Sequence, residues 1–250
     1  MTKPTDTGMN RTGIAMSPVQ GSRMTEGKDC TSPRMPGEQL ALAEVRRRYI
    51  ADAEPVGTVP PPGTVKGMAQ TALEMLKGHK PTVFIDKLGE RLAFERTGVR
   101  LYEALLTKYD VIGTWEGGPS REELDTIRQE ELQHFHLLKE TMERLGADPT
   151  AMTPSADIVA LESAGILKVI TDPRTTLSQS LHAQLVAERA DIEGWDMLIE
   201  LADSIGQTEL ASSFREAYQA EERHARLVKN WLSQAVALDA QRELQETSAG

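Results

Sequence analysis

Cysteine is almost absent from the sequence, since Cys30 is the only one among 250 residues. With a single cysteine the chain cannot form an internal disulfide or a metal site of the Cys-x-x-Cys kind. Aromatic residues are also few, at 4% of the chain, and the aliphatic residues suffice for one sizeable core. The composition therefore predicts an aliphatic core without disulfides.

Long apolar runs are missing as well. No apolar stretch follows Met1, and no later run approaches the roughly 20 residues that a membrane-spanning helix needs. We therefore expect a soluble, cytoplasmic protein without a membrane partner.

The sequence also lacks a surplus of basic residues. It has 28 Lys and Arg but 38 Asp and Glu, which gives a net charge of −10. Residues 1–80 contain eleven basic and eight acidic residues, a balance of +3, whereas residues 81–250 contain seventeen and thirty, a balance of −13. Phosphate contacts depend on clustered Lys and Arg. The acidic part of the chain is therefore not expected to bind nucleic acid.

Residues 1–80 are rich in proline and glycine and predict a flexible arm. Residues 1–56 show no sustained periodicity, so we expect most of them to be disordered. Two segments, residues 38–52 and 65–77, have helical propensity but no strong apolar face. At the other end of the chain, residues 238–250 are expected to form a C-terminal tail.

Residues 81–237 predict an all-α domain with four long helices. A capping box of Ser120 and Glu123 marks one helix start, and glycines mark two helix ends. The connection over residues 147–176 is long and is expected to contain a short helix at 156–169, whereas the other two connections are short. This order predicts two antiparallel hairpins joined by a crossover. The long helices are predicted at Pro81 to about Tyr109, at 121–145, at 177–205 and from Thr208 to about Ala237.

Each long helix has an apolar seam that faces its partners, and polar side chains interrupt every seam near its middle. Antiparallel packing would bring these interruptions to one level of the core. A buried carboxylate is costly unless protons, salt partners or metal ions compensate it. The interrupting residues are Glu95, Glu131 with His134, Glu188, and Glu221 with His224.

The spacing of these residues favours metal binding. Glu131 and His134 are three residues apart, as are Glu221 and His224, so each pair leaves one helix face about one turn apart. With two further Glu residues, the set offers four carboxylates and two imidazoles, which suits two hard or borderline divalent ions. Four Glu charges would then balance two divalent cations.

The pattern Glu, Glu-x-x-His, Glu, Glu-x-x-His on successive helices resembles the ferritin-like superfamily of carboxylate-bridged dinuclear metal proteins. The resemblance covers residues 81–237 and implies a four-helix bundle with a long crossover between helices 2 and 3, holding two iron ions, with manganese as the other candidate. It implies that Glu131 and Glu221 bridge the ions. Glu95 and His134 would complete the ligand set of one ion, and Glu188 and His224 would complete that of the other.

Two further seam residues are candidates for catalytic roles. Tyr102 lies two turns after Glu95 and matches a tyrosine often found beside such sites. Asp191 lies one turn after Glu188 and matches an additional carboxylate, usually Glu, of rubrerythrin-like peroxidases. It could bind a metal, or it could accept a hydrogen bond from a metal-binding histidine. Glu130 and Glu222 lie one position off their seams and are interpreted as solvated.

The leading function hypothesis is a rubrerythrin-like di-iron oxidoreductase that acts on peroxide or O2. Because the chain lacks a cysteine-rich iron module, its electrons would come from an external donor. Iron storage, a manganese catalase and a metal-free structural bundle remain the alternatives, since ligand type does not separate iron from manganese. A homodimer is expected from the resemblance, because such bundles commonly pair through an outer helix face.

Overall fold

The computed structural model describes residues 36–60 and 81–249, and the described residues form helices and connecting loops without a strand. The predicted helix at 65–77 and Cys30 lie outside these residues. None of the described helices combines the length and apolar character needed to cross a membrane. The six helices are α1 (Pro36–Asp52), α2 (Pro81–Ile112), α3 (Arg121–Arg144), α4 (Pro154–Thr171), α5 (Leu177–Ser204) and α6 (Thr208–Ala249).

Helix α1 belongs to a unit of its own, residues 4–55. Its apolar side chains, such as Leu40, Tyr49 and Ile50, are exposed. Glu44 forms ion pairs with Arg47 and Arg48 one turn later. The helix thus has no buried face of its own among the described side chains.

Helices α2 to α6 form a helical bundle within the second unit. Helix α2 packs against α3, α4 and α5, and α5 packs against α6. Helices α3 and α6 meet over a shorter contact. The all-helical prediction is confirmed for the described residues.

Local sequence signals explain where these helices start and stop. The Ser120 hydroxyl accepts a hydrogen bond from the Glu123 backbone N–H, and the Glu123 side chain accepts one from the Ser120 N–H, so the predicted capping box is present. Thr176 and Gln179 form the same arrangement at the start of α5. Gly206 has a φ of +76°, in the left-handed region, which lets the chain turn tightly between α5 and α6.

Two apolar clusters fill the interior of the bundle. The first, here the Trp195 cluster, is centred on Leu88, Leu138, Trp195 and Phe214. The second, here the Leu105 cluster, is centred on Leu105, Leu124, Leu181 and Val228. Helices α2 and α6 run from the Trp195 cluster towards the Leu105 cluster, and α3 and α5 run the opposite way.

Because α3 and α5 run in the same direction, the chain must return along the bundle between them. Helix α4 makes this return beside α2. At its start, Ser155 donates hydrogen bonds from its N–H and hydroxyl to Asp86. Beyond its end, Lys108 donates to the carbonyl oxygens of Asp172 and Thr175. The crossover is thus tied to α2 at both ends.

Helix α6 is longer than the sequence pattern predicted. We expected it to end near Ala237, where the apolar seam ends, but it continues to Ala249. Neither glycine nor proline occurs between Gly206 and Gly250, and the added residues are mostly good helix formers. Helical propensity therefore extends the helix beyond its buried part.

Candidate metal centre

The six predicted metal ligands lie together in the interior of the bundle. On α3, α5 and α6 they lie between the part of the helix in the Trp195 cluster and the part in the Leu105 cluster, and on α2 Glu95 directly follows Phe94 of the Leu105 cluster. None of them exposes more than 8% of its surface. The alternation of apolar residues along each helix explains this position, since it turns the interrupting side chains inward with the rest of the seam.

Three of the predicted carboxylate ligands converge on His224. The His224 Nδ1 atom lies 3.0 Å from Glu221 Oε2, 3.5 Å from Glu131 Oε1 and 3.8 Å from Glu188 Oε2. One ligand atom from each of the four residues lies within 4.8 Å of the others, a spacing at which one ion could contact them all.

A second group converges on His134. Its Nδ1 atom lies 2.6 Å from Glu221 Oε1 and 3.6 Å from Glu95 Oε2. The imidazole and the Trp195 ring pack in a T-shaped arrangement with ring centroids 5.7 Å apart, which restricts the plane of the imidazole. Glu221 belongs to both groups. In addition, carboxylate oxygens of Glu95, Glu131, Asp191 and Glu221 lie within 4.8 Å of one another.

Two polar side chains orient Glu188. The Tyr102 hydroxyl donates to Glu188 Oε1 at 2.6 Å, and the Gln184 amide donates to the same oxygen at 2.7 Å. The other oxygen, Oε2, has no hydrogen-bond partner and faces the group around His224. Tyr102 thus lies beside the cluster, and its hydroxyl orients the carboxylate of Glu188.

Asp191 lies beside Glu95, Glu131 and Glu221 and contacts an arginine that was not identified from the sequence. Arg91 Nη2 lies 2.7 Å from Asp191 Oδ1 and 3.8 Å from Glu95 Oε1, and both members of the pair are about 2% exposed. The arginine is four residues before Glu95 on α2, and that spacing was the available signal. The structure pairs Asp191 with Arg91, and no described contact joins it to a histidine.

Gly98 gives Glu131 the space that it occupies. A Cβ atom at position 98 would overlap the Glu131 carboxylate. The absence of a side chain on α2 therefore lets a carboxylate from α3 lie against its backbone.

The position of Glu130 differs from the one expected from the sequence. The residue was interpreted as solvated, but its Oε2 atom lies 2.6 Å from His224 Nε2, and Arg223 contacts its other oxygen at 3.3 Å. Its side chain is 30% exposed and lies in a surface groove of about 360 Å³ between α3 and α6. Glu130 therefore holds His224 so that Nδ1 faces the buried carboxylates. Such an outer partner fixes a histidine for metal binding.

The protonation of the cluster follows from burial and mutual contact. Burial would lower the pKa of His134, but the Glu221 and Glu95 carboxylates raise it to about 10. Burial and the nearby Glu221 raise the pKa of Glu188 to about 7. Burial would raise the pKa of Glu221, yet hydrogen bonds from the two histidines lower it to about 2. Protons thus balance part of the negative charge when no cation does.

The remaining acids and the tyrosine respond in the same way. Burial, followed by repulsion from Glu221, raises the pKa of Glu131 well above its usual value. Burial also raises the pKa of Asp191, and the attraction of Arg91 opposes this. Burial and Glu188 raise the pKa of Tyr102, so its hydroxyl keeps its proton and donates.

The donor set fits a pair of divalent cations. Buried carboxylate oxygens without a hydrogen-bond partner of suitable geometry occur on Glu95, Glu131, Glu188, Asp191 and Glu221. Buried polar atoms are normally satisfied, so unsatisfied atoms that converge indicate a missing partner. Oxygen with imidazole nitrogen is the ligand set of iron, manganese or zinc, and the described cluster contains no thiolate.

Comparison with known proteins gives a family but no function. Residues 79–241 match the family described as Domain of unknown function (DUF892). No curated protein matches the chain, and no solved structure does. The match spans all of α2 to α5 and most of α6, and it includes every residue of the cluster.

Proposed function

The chain belongs to the Domain of unknown function (DUF892) family, and from its buried ligand set we propose that it is a non-haem dinuclear metal protein, with iron as the metal, that reacts with peroxide or O2. We also propose that its bundle is ferritin-like. The course of the helices supports this, because two helix pairs are joined by a crossover that returns along the bundle.

One observation carries the proposal: two imidazole nitrogens face opposite oxygens of the same carboxylate. Glu221 Oε1 lies 2.6 Å from His134 Nδ1, and Glu221 Oε2 lies 3.0 Å from His224 Nδ1. A carboxylate placed between two nitrogen ligands is suited to bridge two ions. Glu95 and Glu188 supply one further oxygen on each side, and Glu131 is the second bridge of the proposal.

Each residue has a role in this proposal that follows from its contacts. Glu130 holds the His224 ring through Nε2, which leaves Nδ1 for a metal. Tyr102 and Gln184 both donate to Glu188 Oε1, which leaves Oε2 for a metal. The two apolar clusters on either side exclude bulk water. When bound, two iron ions would supply the two electrons that reduce peroxide or O2.

Iron is proposed because the resemblance to ferritin-like di-iron proteins implies it, since the ligand types alone do not separate iron from manganese. A buried tyrosine hydroxyl that donates to a ligand carboxylate keeps a proton near the place where oxygen is reduced. The electrons must come from an external donor, since the one cysteine of the chain cannot hold an iron module. Localisation in the cytoplasm and pairing of two chains remain proposals from the sequence.

The test is peroxide consumption by protein loaded with Fe(II), measured with and without an added reductant. A peroxidase consumes stoichiometric peroxide without reductant and turns over with it, whereas a catalase evolves O2 without any reductant. A storage protein instead accumulates more than two iron ions per chain. A protein loaded with iron that consumes no peroxide and reduces no O2 would contradict the proposed reaction.

The matched variants are Glu188→Ala and Glu222→Ala. Glu188 faces the cluster, whereas Glu222 is half-buried, lies beside Glu221 on α6 and belongs to none of the ligand groups. We expect Glu188→Ala to lose at least a hundredfold in rate and Glu222→Ala to keep the wild-type rate, because only the first removes a ligand. Equal rates in both variants would contradict the assignment of Glu188.

A further inference from the structure

We infer that Arg91 is a positioning residue that neutralises Asp191 and keeps its carboxylate out of the metal ligand set. The inference rests on the proposed function, because it concerns the charge balance of the same centre. Asp191 then has neither of the two roles expected from the sequence, because it neither binds a metal nor accepts a hydrogen bond from a metal-binding histidine.

The geometry around Arg91 supports this assignment. The guanidinium lies between two carboxylates, 2.7 Å from Asp191 on α5 and 3.8 Å from Glu95 on its own helix. Its Nη1 atom also donates to the backbone carbonyl of Asp191 at 3.4 Å. Arg91 thus contacts both the side chain and the backbone of Asp191, whose carboxylate lies close enough to the centre to be a ligand, with one oxygen within 4.8 Å of oxygens of Glu95, Glu131 and Glu221.

The surroundings of the guanidinium are shaped to hold it. A Cβ atom at Gly194 would overlap the Arg91 guanidinium, so α5 provides the space by lacking a side chain there. The Phe94 ring also packs against the guanidinium, with its centroid 4.5 Å from the guanidinium carbon. Three elements of the interior therefore fix the position of one buried cation: an acid, a glycine and an aromatic ring.

Charge balance gives the physical reason for this arrangement. Two divalent ions would carry four positive charges, which the four Glu residues of the proposed ligand set would balance. Asp191 would leave one negative charge in excess in a water-excluded interior, where an unpaired charge is costly. The permanent charge of Arg91 removes that excess, and the pair Arg91–Asp191 adds nothing to the net charge of the centre.

The experiment compares wild type, Arg91→Met, Asp191→Asn and the double variant by titration with Co(II) under anaerobic conditions. Co(II) absorption in the visible region reports the number and kind of ligands, independently of any turnover. We expect Asp191→Asn to keep the wild-type spectrum but to lose about ten- to a hundredfold in affinity, because Arg91 is then an unpaired cation beside the metals. Arg91→Met should change the spectrum, since the released Asp191 can reach a metal.

The double variant decides between the alternatives. We expect it to recover both the spectrum and the affinity of wild type, because removing both charges restores the balance. If Asp191 were a ligand, Asp191→Asn would change the spectrum by itself and the double variant would not recover. If Arg91 served only to fill space, Arg91→Met would leave the spectrum unchanged, and this too would contradict the inference.

Two further variants and a metal-free measurement complete the test. Arg91→Lys keeps the charge and should keep the wild-type spectrum, whereas Arg96→Met removes an exposed arginine from the same helix and should change nothing. In the metal-free protein, each single variant should lower the melting temperature by more than the double variant does. Additive losses would contradict the pair even if the wild type bound no Co(II), so this measurement is independent of the proposed function.

Discussion

The two halves of the cluster are organised in different ways. Around His224, hydrogen bonds set the geometry, since Glu130 holds the far side of the ring and two neutral donors hold Glu188. Around His134, charge and packing dominate, since the buried Arg91 lies between Asp191 and Glu95, and the ring of Trp195 packs against the imidazole.

This difference shows that a buried acidic site can be stabilised by two separate means. Around His224, Tyr102 and Gln184 orient Glu188 as neutral donors, and the Glu130 carboxylate orients the imidazole from its far side. Near His134, the charge of Arg91 offsets that of Asp191 and holds a carboxylate that the inference excludes from the ligands. Variants in the two halves should therefore differ in what they alter, namely ligand geometry in one half and charge balance in the other.

The largest effect is expected where the halves meet. Glu221 faces both histidines, so Glu221→Ala should abolish tight binding of both metal ions. Metal content after dialysis, measured by elemental analysis, checks this result. Glu222→Ala is the control and should retain both ions. Full occupancy in Glu221→Ala would show that this carboxylate is not a bridge.

A smaller effect is expected in the hydrogen-bonded half alone. Glu130→Gln keeps the shape of the side chain but removes the negative charge that faces His224 Nε2. We expect metal affinity to fall by about ten- to a hundredfold, because the ring loses its charged partner. Competition with a chelator measures this change. An unchanged metal affinity would show that Glu130 does not support His224 as a ligand.

The stability of the metal-free protein should depend on pH in a defined direction. The folded pKa of His134, about 10, lies above its unfolded value of 6.5, so its contribution is complete below pH 6.5 and is lost as the pH rises through 10. Glu188, with a folded pKa of about 7, contributes below its unfolded value of 4.5 and loses the contribution as the pH rises through 7. The opposite contribution of Glu221 is lost only at acid pH.

Thermal melts from pH 6 to pH 10 test this expectation. The melting temperature of the metal-free protein should fall across the range, and bound metal should reduce the fall because the cations replace the protons. A metal-free melting temperature that rises between pH 6 and pH 10 would contradict the protonation of the cluster.

The smallest effect concerns the first part of the chain. Deletion of residues 1–55 should leave the melting temperature of the bundle nearly unchanged, because the core of the bundle lies within the unit that starts at Val56. Deletion of residues 1–75 should cost slightly more, since Val59 packs against the Trp195 cluster. Loss of the cooperative melt in the shorter deletion would show that residues 1–55 stabilise the core.

Residues that follow the helical period were predictable from the sequence. The seams predicted that Glu95, Glu188 and Glu221 point inward, and all three are buried. Their common level followed from their positions near the middle of helices of similar length. Local signals such as Ser120 with Glu123 were equally readable, because they act within one turn of backbone.

Contacts between helices were less predictable. Glu130 and Arg91 lie beside the seams, and whether such a side chain reaches the interior depends on helix rotation and on its own length. The helical period of 3.6 residues predicts neither the rotation of a helix in the bundle nor the reach of its side chains. The glycines opposite Glu131 and Arg91 were also unrecognised, because a missing side chain has meaning only against the atoms that occupy its space.

Metal stoichiometry tests the central claim most directly. We expect an anaerobic calorimetric titration of the metal-free protein with Fe(II) to show two tightly bound ions per chain and a release of protons on binding. The two groups around His134 and His224 predict this number, since each provides one nitrogen and several oxygens. A stoichiometry of one or none, or an uptake of many ions per chain, would contradict a dinuclear centre.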